Sequence, residues 1–348
     1  MSYKVSGASS IALAVVRTVA FVISVAWTPP ANAGPGWQFS DWSAPVNLGP
    51  DVNSAGPDQG PAISKNELEL YFVRQVGVLG GSDPGDIWVT TRKHRTDPWG
   101  EPKNLGGIIN TSGRESTPTL SLDGHLLYFS SDRPGGFGGF DIWVSERIDR
   151  HDPFGWQQPV NLGSGVNTVG QELGPAPFED PSTQILTLYF YRIPPIPPGP
   201  PVAVHRDLFS STLDENGLFT TAVPIAELNT LLFEDEQPSI RRDGLEMFFS
   251  SNRPGGFRGS DIWVSTRAST SEPWSPPVNL GPVINTGPVT NITLGIEQRP
   301  ALSFDGRSLY FFSDRDAGLG RSTDLFVSTR IRLDEDRNDD DDDDSDDD

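Results

Sequence analysis

Short runs of aromatic and β-branched residues recur along this chain, each closed off by Gly, Asp or Pro, as in Leu127-Tyr-Phe-Ser130 and Ile142-Trp-Val-Ser145. Such runs predict strands. The segments Pro118–Ser145 and Pro238–Ser265 match almost position for position, sharing Asp-Gly, Phe-Ser-Ser, Arg-Pro-Gly-Gly-Phe and Asp-Ile-Trp-Val-Ser. A third copy begins at Pro300 and keeps Tyr310-Phe-Phe-Ser-Asp-Arg315 and Asp324-Leu-Phe-Val-Ser328. Two looser copies begin at Pro61 and Pro175, with Leu70-Tyr-Phe72 and Leu188-Tyr-Phe190, then Asp86-Ile-Trp88 and Asp207-Leu-Phe209.

Within each copy the Asp-Gly pairs at 123–124, 243–244 and 305–306 read as two-residue hairpin turns, because Gly tolerates the positive φ such loops demand. A fourth strand is expected in Trp156–Gly163, Trp99–Gly106 and Trp274–Gly281. Four strands in a repeat of about sixty residues describe a propeller blade, and blades must stack around an axis to bury their faces. Trp42–Gly49 is a fourth-strand sequence standing ahead of the first repeat, while the last repeat ends without one. The expected fold is therefore all-β: a five-bladed β-propeller of four-stranded antiparallel blades over residues 39–333, its ring closed by the N-terminal strand, which removes the free sheet edges.

Leu127-Tyr-Phe-Ser-Ser-Asp-Arg-Pro-Gly-Gly136 followed by Asp141-Ile-Trp143 resembles the PD40 repeat, a WD40-like, TolB-type propeller module. The first and third copies depart from it, with Phe72-Val-Arg74 and Phe190-Tyr-Arg192 in place of the Ser-Asp-Arg-Pro-Gly-Gly turn. The resemblance implies an extracytoplasmic bacterial propeller that serves as a binding platform; it implies no reaction.

Composition narrows the chemistry. Cysteine is absent, which excludes disulfides, thiolate metal sites and Cys nucleophiles, and four scattered histidines argue against a His-based centre. The formal net charge is −21, of which −11 falls in Asp334–Asp348. Without a basic footprint, nucleic acid is not an expected partner. The acidic run reads as a disordered tail at 334–348 that gathers Ca²⁺ weakly at most; no other cofactor is expected. Lys4 and Arg17, the apolar run 18–27 and Ala31-Asn-Ala33 read as a signal peptide over 1–33, cleaved near Ala33. The mature chain is then expected outside the cytoplasm, periplasmic or secreted, as a monomer without a membrane span.

One acid precedes each opening proline by three positions: Asp58, Glu115, Glu172, Asp235 and Glu297. On first strands lining the channel, these five predict a carboxylate ring near one mouth, able to take a cation or a basic peptide. One arginine follows each second strand: Arg74, Arg133, Arg192, Arg253 and Arg315. Five acids and five arginines also predict bidentate ion pairs that order the loops, the favoured reading for a feature repeated in every blade. Asp86, Asp141, Asp207, Asp261 and Asp324, with Asn53, Asn110, Asn167, Asn229 and Asn285, read as turn residues. The irregular stretches 75–84, 192–205 and 287–297 break the repeat at the rim. No nucleophile elbow, zinc-binding helix motif or phosphate loop is present. The sequence therefore predicts a non-enzymatic scaffold binding a protein or peptide partner, with no catalytic residue assigned. The alternative is a five-bladed glycosidase using channel carboxylates.

Overall fold

In the computed structural model the described residues are 37–75, 85–196, 205–257, 259–286, 295–315 and 323–333. The signal segment, the acidic tail, and most of the rim stretches at 75–84, 192–205 and 287–297 lie outside them.

Among the described residues twenty strands form five separate four-stranded antiparallel sheets. Blade 2 shows the pattern: an inner strand Glu115–Leu120, then Leu126–Ser131, Asp141–Glu146 and a short outer strand Val160–Asn161. Inner strands of successive blades touch in turn, and that of blade 5 (Glu297–Leu302) touches that of blade 1 (Asp58–Ile63), so the ring is closed. Val46–Asn47 supplies the missing outer strand of blade 5, pairing Val46 with Val327 and Asn47 with Phe326. No helix among the described residues is long and apolar enough to cross a membrane.

The aromatic runs fold as strands because each blade is buried on both faces. Every blade-to-blade junction holds its own apolar cluster, such as Tyr71, Ile87, Leu105, Phe129 and Trp143 between blades 1 and 2. Phe72, Phe129, Phe190, Phe249 and Phe311 occupy one repeat position and are wholly buried; each contributes about 2–3 kcal/mol relative to exposure.

The Asp-Gly turns differ from expectation. Blade 2 uses a five-residue loop, 121–125, within which Gly124 N–H donates to the Ser121 carbonyl, with Gly124 at φ 78°. The asparagines also do more than turn the chain. Asn110 Oδ1 accepts from Ile87 N–H at 2.9 Å and its amide donates to the Ile87 carbonyl at 3.0 Å, so it pairs with the third strand as a residue of a neighbouring strand would. Asn53, Asn167, Asn229 and Asn285 repeat this on Leu325, Ile142, Leu208 and Ile262, tying each blade to the next.

Each inner strand carries one bulge, at Gly60, Thr117, Gly174, Gln237 and Arg299, all with positive φ. Bulges re-aim side chains. Here they set one residue per blade around the axis, and the identity of that residue is what differs between blades.

Candidate functional site

The repeated acids and arginines form one motif built five times. Asp58–Arg74 close to 2.7 Å, Glu115–Arg133 to 3.2 Å, Glu172–Arg192 to 2.7 Å and Glu297–Arg315 to 3.3 Å, and Asp235 pairs with Arg253. The pairs make one contact each, where bidentate forks were expected. Nη2 of each arginine also donates to a backbone carbonyl, as Arg192 Nη2 does to Val166 at 2.8 Å. Each guanidinium also lies near two rings of its own blade, for instance Phe129 and Trp143 around Arg133. The carboxylates in turn hold the loop ahead of the inner strand: Glu172 accepts from Thr168 N–H at 2.9 Å and Thr168 Oγ1 at 2.6 Å. All five acids are withdrawn from solvent, at 0–1% exposure. Burial raises the pKa of Asp58, Glu172 and Glu297 from their ordinary values, against the pull of arginine and loop donors.

The third-strand aspartates Asp86, Asp141, Asp261 and Asp324 accept from Asn104, Asn161, Asn279 and Asn47 on the outer strand. Blade 3 is the exception. Its outer strand is Val223–Pro224, which offers Asp207 no amide. Burial and the nearby Asp235 charge raise the pKa of Asp207. Blade 3 also lacks the arginine that follows the third strand elsewhere and stacks on a tryptophan, as Arg147 does on Trp156 at 4.6 Å; Leu213 bridges Phe219 instead.

Next to this irregular blade the structure gathers ionisable groups that belong to no repeat. The residue before the repeat acid is Pro57, Arg114, Gln171, Glu234 or Ile296, and the residue after it is Gln59, Ser116, Leu173, Glu236 or Gln298. Only blade 4 flanks its acid with two more carboxylates. Arg206, which leads into the third strand of blade 3, reaches both: Nη1 lies 2.8 Å from Glu234 Oε2 and 3.2 Å from Glu236 Oε2. Gln298 of blade 5 donates to Glu236 Oε1 at 3.1 Å. Glu234 and Arg206 keep about a third of their side-chain surface exposed, whereas Glu236 keeps 2%. Burial first, and then the charge of Glu234, push the Glu236 carboxyl up to about 7, with Arg206 and Arg299 holding it down. Tyr191 completes the sector; burial and the neighbouring Glu236 raise its hydroxyl to about 12. Gly174 leaves room for its ring, since a Cβ there would lie 2.9 Å from it.

Arg299 sits at the bulge of blade 5 with φ 55°. Its backbone N–H donates to Gln237 Oε1 at 2.9 Å. Its guanidinium crosses to blade 1, where a Cβ on Gly60 would lie 2.6 Å from Nη1. Nε and Nη1 are sealed from solvent and find no hydrogen-bond partner.

Sequence reasoning assigned the acids to repeat positions and so passed over Glu234, Glu236 and Arg206. The signal was the triplet Glu234-Asp-Glu236, visible once the five copies are read in columns. Among the described residues no group of three or more His, Cys, Asp or Glu side chains is placed to hold a metal ion.

No family model matches the chain, and no curated protein matches it in sequence. Solved structures do share its fold. The α-L-arabinofuranosidase from Lactobacillus brevis superposes with a TM-score of 0.54 at 14% identity, over 82% of this chain and 94% of that one. The endo-arabinase from Bacteroides thetaiotaomicron VPI-5482 gives 0.52 at 17% identity, over 84% and 98%. A TolB-type protein from Agrobacterium tumefaciens gives 0.45 at 15%, over 81% and 80%.

The expectation of a non-enzymatic platform for a protein or peptide is corrected here. Two of the solved propellers sharing this fold are an α-L-arabinofuranosidase and an endo-arabinase, so the fold itself does not point to a non-enzymatic platform. The premise that the acids were used up by the repeat also fails at Glu234 and Glu236, which an unrepeated arginine joins.

Proposed function

We propose that this chain is a carbohydrate-active enzyme, exported from the cytoplasm, that cleaves glycosidic bonds at the junction of blades 3, 4 and 5. The observation that carries the reading is Glu236: an unrepeated, buried carboxyl raised to about 7, beside the more exposed Glu234 on a shared arginine. Glycoside hydrolysis needs two carboxyl groups in different protonation states, and unequal environments create that difference. Glu236 is the proton donor to the leaving oxygen. Glu234 is the carboxylate that serves the anomeric carbon or its attacking water, and Arg206 holds the two in register. The arabinofuranosidase and the arabinase cited above support the reading through their common scaffold, and α-L-arabinosides are the first substrates to offer. We also assign the repeat itself to the PD40 type, on Asp132-Arg-Pro-Gly-Gly136 and its equivalents.

The test is release of reducing sugar from arabinan, arabinoxylan and xylan by the purified full-length protein. Turnover on at least one, lost in Glu236→Gln, is expected. Turnover unchanged in that variant would remove Glu236 from the chemistry.

A further inference from the structure

Glu234 and Glu236 lie at the starts of the inner strands; the other ends of those strands meet at a second mouth of the channel. The second residue after each opening proline is apolar there in every blade, from Ile63 to Leu302, and all five are half-buried. They are the walls of an open cavity of about 150 Å³. The fourth residue after the proline forms the rim and differs in every blade: Lys65, Leu122, Glu179, Arg242 and Phe304. Blade 5 lies between blades 4 and 1, and its Phe304 has Arg242 and Lys65 each 4.5 Å from the ring centre. Trp37 flanks Arg242 again, at 4.2 Å. Both cations are exposed, and among the described residues neither forms an ion pair. The nearby acids are held elsewhere: Asp243 by Arg241 at 2.8 Å, and Asp180 by Ser182 Oγ at 2.6 Å. Glu179, the rim residue of blade 3, is exposed and pairs with neither cation.

Ring contacts hold the two cations in place, so an anion meets groups that are already ordered. Low-dielectric walls concentrate the field of a charged mouth. The well is small, since sites for drug-sized ligands run to about 300–1,000 Å³. An apolar cavity of about 150 Å³ takes a benzene ring.

We infer that this second mouth binds a small aromatic carboxylate, its ring in the well and its carboxylate between Arg242 and Lys65. The apolar walls answer the ring, and the two unpaired cations answer the charge. Glu179 repels a carboxylate from the blade 3 side, which leaves the sector around Phe304 for the acid group. The site is separate from the proposed sugar site: Arg242 stands six residues beyond Glu236, and the cavity is lined by neither Glu234, Glu236 nor Arg206.

The test is calorimetric titration of the full chain at pH 7 with phenylacetate, against phenylacetamide, which keeps the ring, and acetate, which keeps the charge. Phenylacetate should bind once per chain and about tenfold or more tighter than either, as charge-assisted contacts to two cations imply. Arg242→Gln and Lys65→Gln, both at exposed positions, should each weaken it by about fivefold. The double variant should bind phenylacetate no better than phenylacetamide while thermal unfolding stays cooperative. No saturable binding of phenylacetate overturns the inference, as does equal binding of phenylacetamide or acetate. A preference for phenylacetate that survives in the double variant overturns it too. The single variants decide the location if the double variant does not fold. The readout is independent of glycoside cleavage, so either reading can fail while the other stands.

Discussion

Two charged regions of this propeller use the same residue types to opposite ends. The five acid–arginine pairs are identical in plan: a buried carboxylate, an arginine between two rings, and a loop drawn down onto the carboxylate. The sector at Arg206, Glu234, Glu236 and Arg299 occurs once, and its charges do not balance by pairs. Repetition shows what every blade needs in order to stand; departure from it shows what only the whole ring can do. The acids that recur in every copy are thus buried against arginine, and the unrepeated acids Glu234 and Glu236 are the immediate neighbours of one of them.

Substitutions can break this comparison in order of effect. Replacing Glu236 by Gln removes the proposed proton donor and should lower turnover by about 10²–10⁴-fold without loss of fold, measured as initial rate on the best glycoside. Glu115→Ala leaves Arg133 buried without its carboxylate. It should destabilise the fold by about 3–5 kcal/mol, read from denaturant midpoints, whereas an equal effect from Glu234→Ala would erase the distinction between the regions.

pH sharpens it further. The folded-state pKa of Glu236 is raised from 4.5 to about 7, so the folded protein holds a proton there that the unfolded chain has lost. Stability from this group is therefore full below about 4.5 and declines as pH rises towards 7. The thermal midpoint of wild type minus that of Glu236→Gln should fall across this window. Activity requiring the protonated acid should decline as pH rises through about 7. The smallest effect is expected from Arg299→Gly, which relieves a positive φ and an unpaired cation. It should raise stability by about 1 kcal/mol, and a loss of that size would mean Arg299 is structural.

Much of the fold was legible because a repeated constraint leaves a repeated trace. Phe129 and its four equivalents must fill the same gap, and Asn110 and its equivalents must meet the same backbone groups. The closing strand was legible because Trp42–Gly49 matches three other outer-strand sequences. The contacts of Arg147 with Glu69 and of Arg330 with Glu246, both between blades, were not, since they join residues more than seventy positions apart. The inner-strand bulges were hidden because Thr117, Gln237 and Arg299 give no hint of a positive φ; only Gly60 and Gly174 in the same column do. The Glu236 sector was hidden for a different reason. Its meaning lies in the difference between columns, and a search for shared residues discards differences.

The central claim is that chemistry resides in the unrepeated sector while the repeated pairs hold the ring. The most direct measurement is the specific activity of wild type, Glu236→Gln and Glu115→Gln on one cleaved glycoside, below the unfolding midpoint of all three. Activity retained in Glu115→Gln and lost in Glu236→Gln is the predicted result. Activity retained in Glu236→Gln, or lost equally in both while both remain folded, would contradict it.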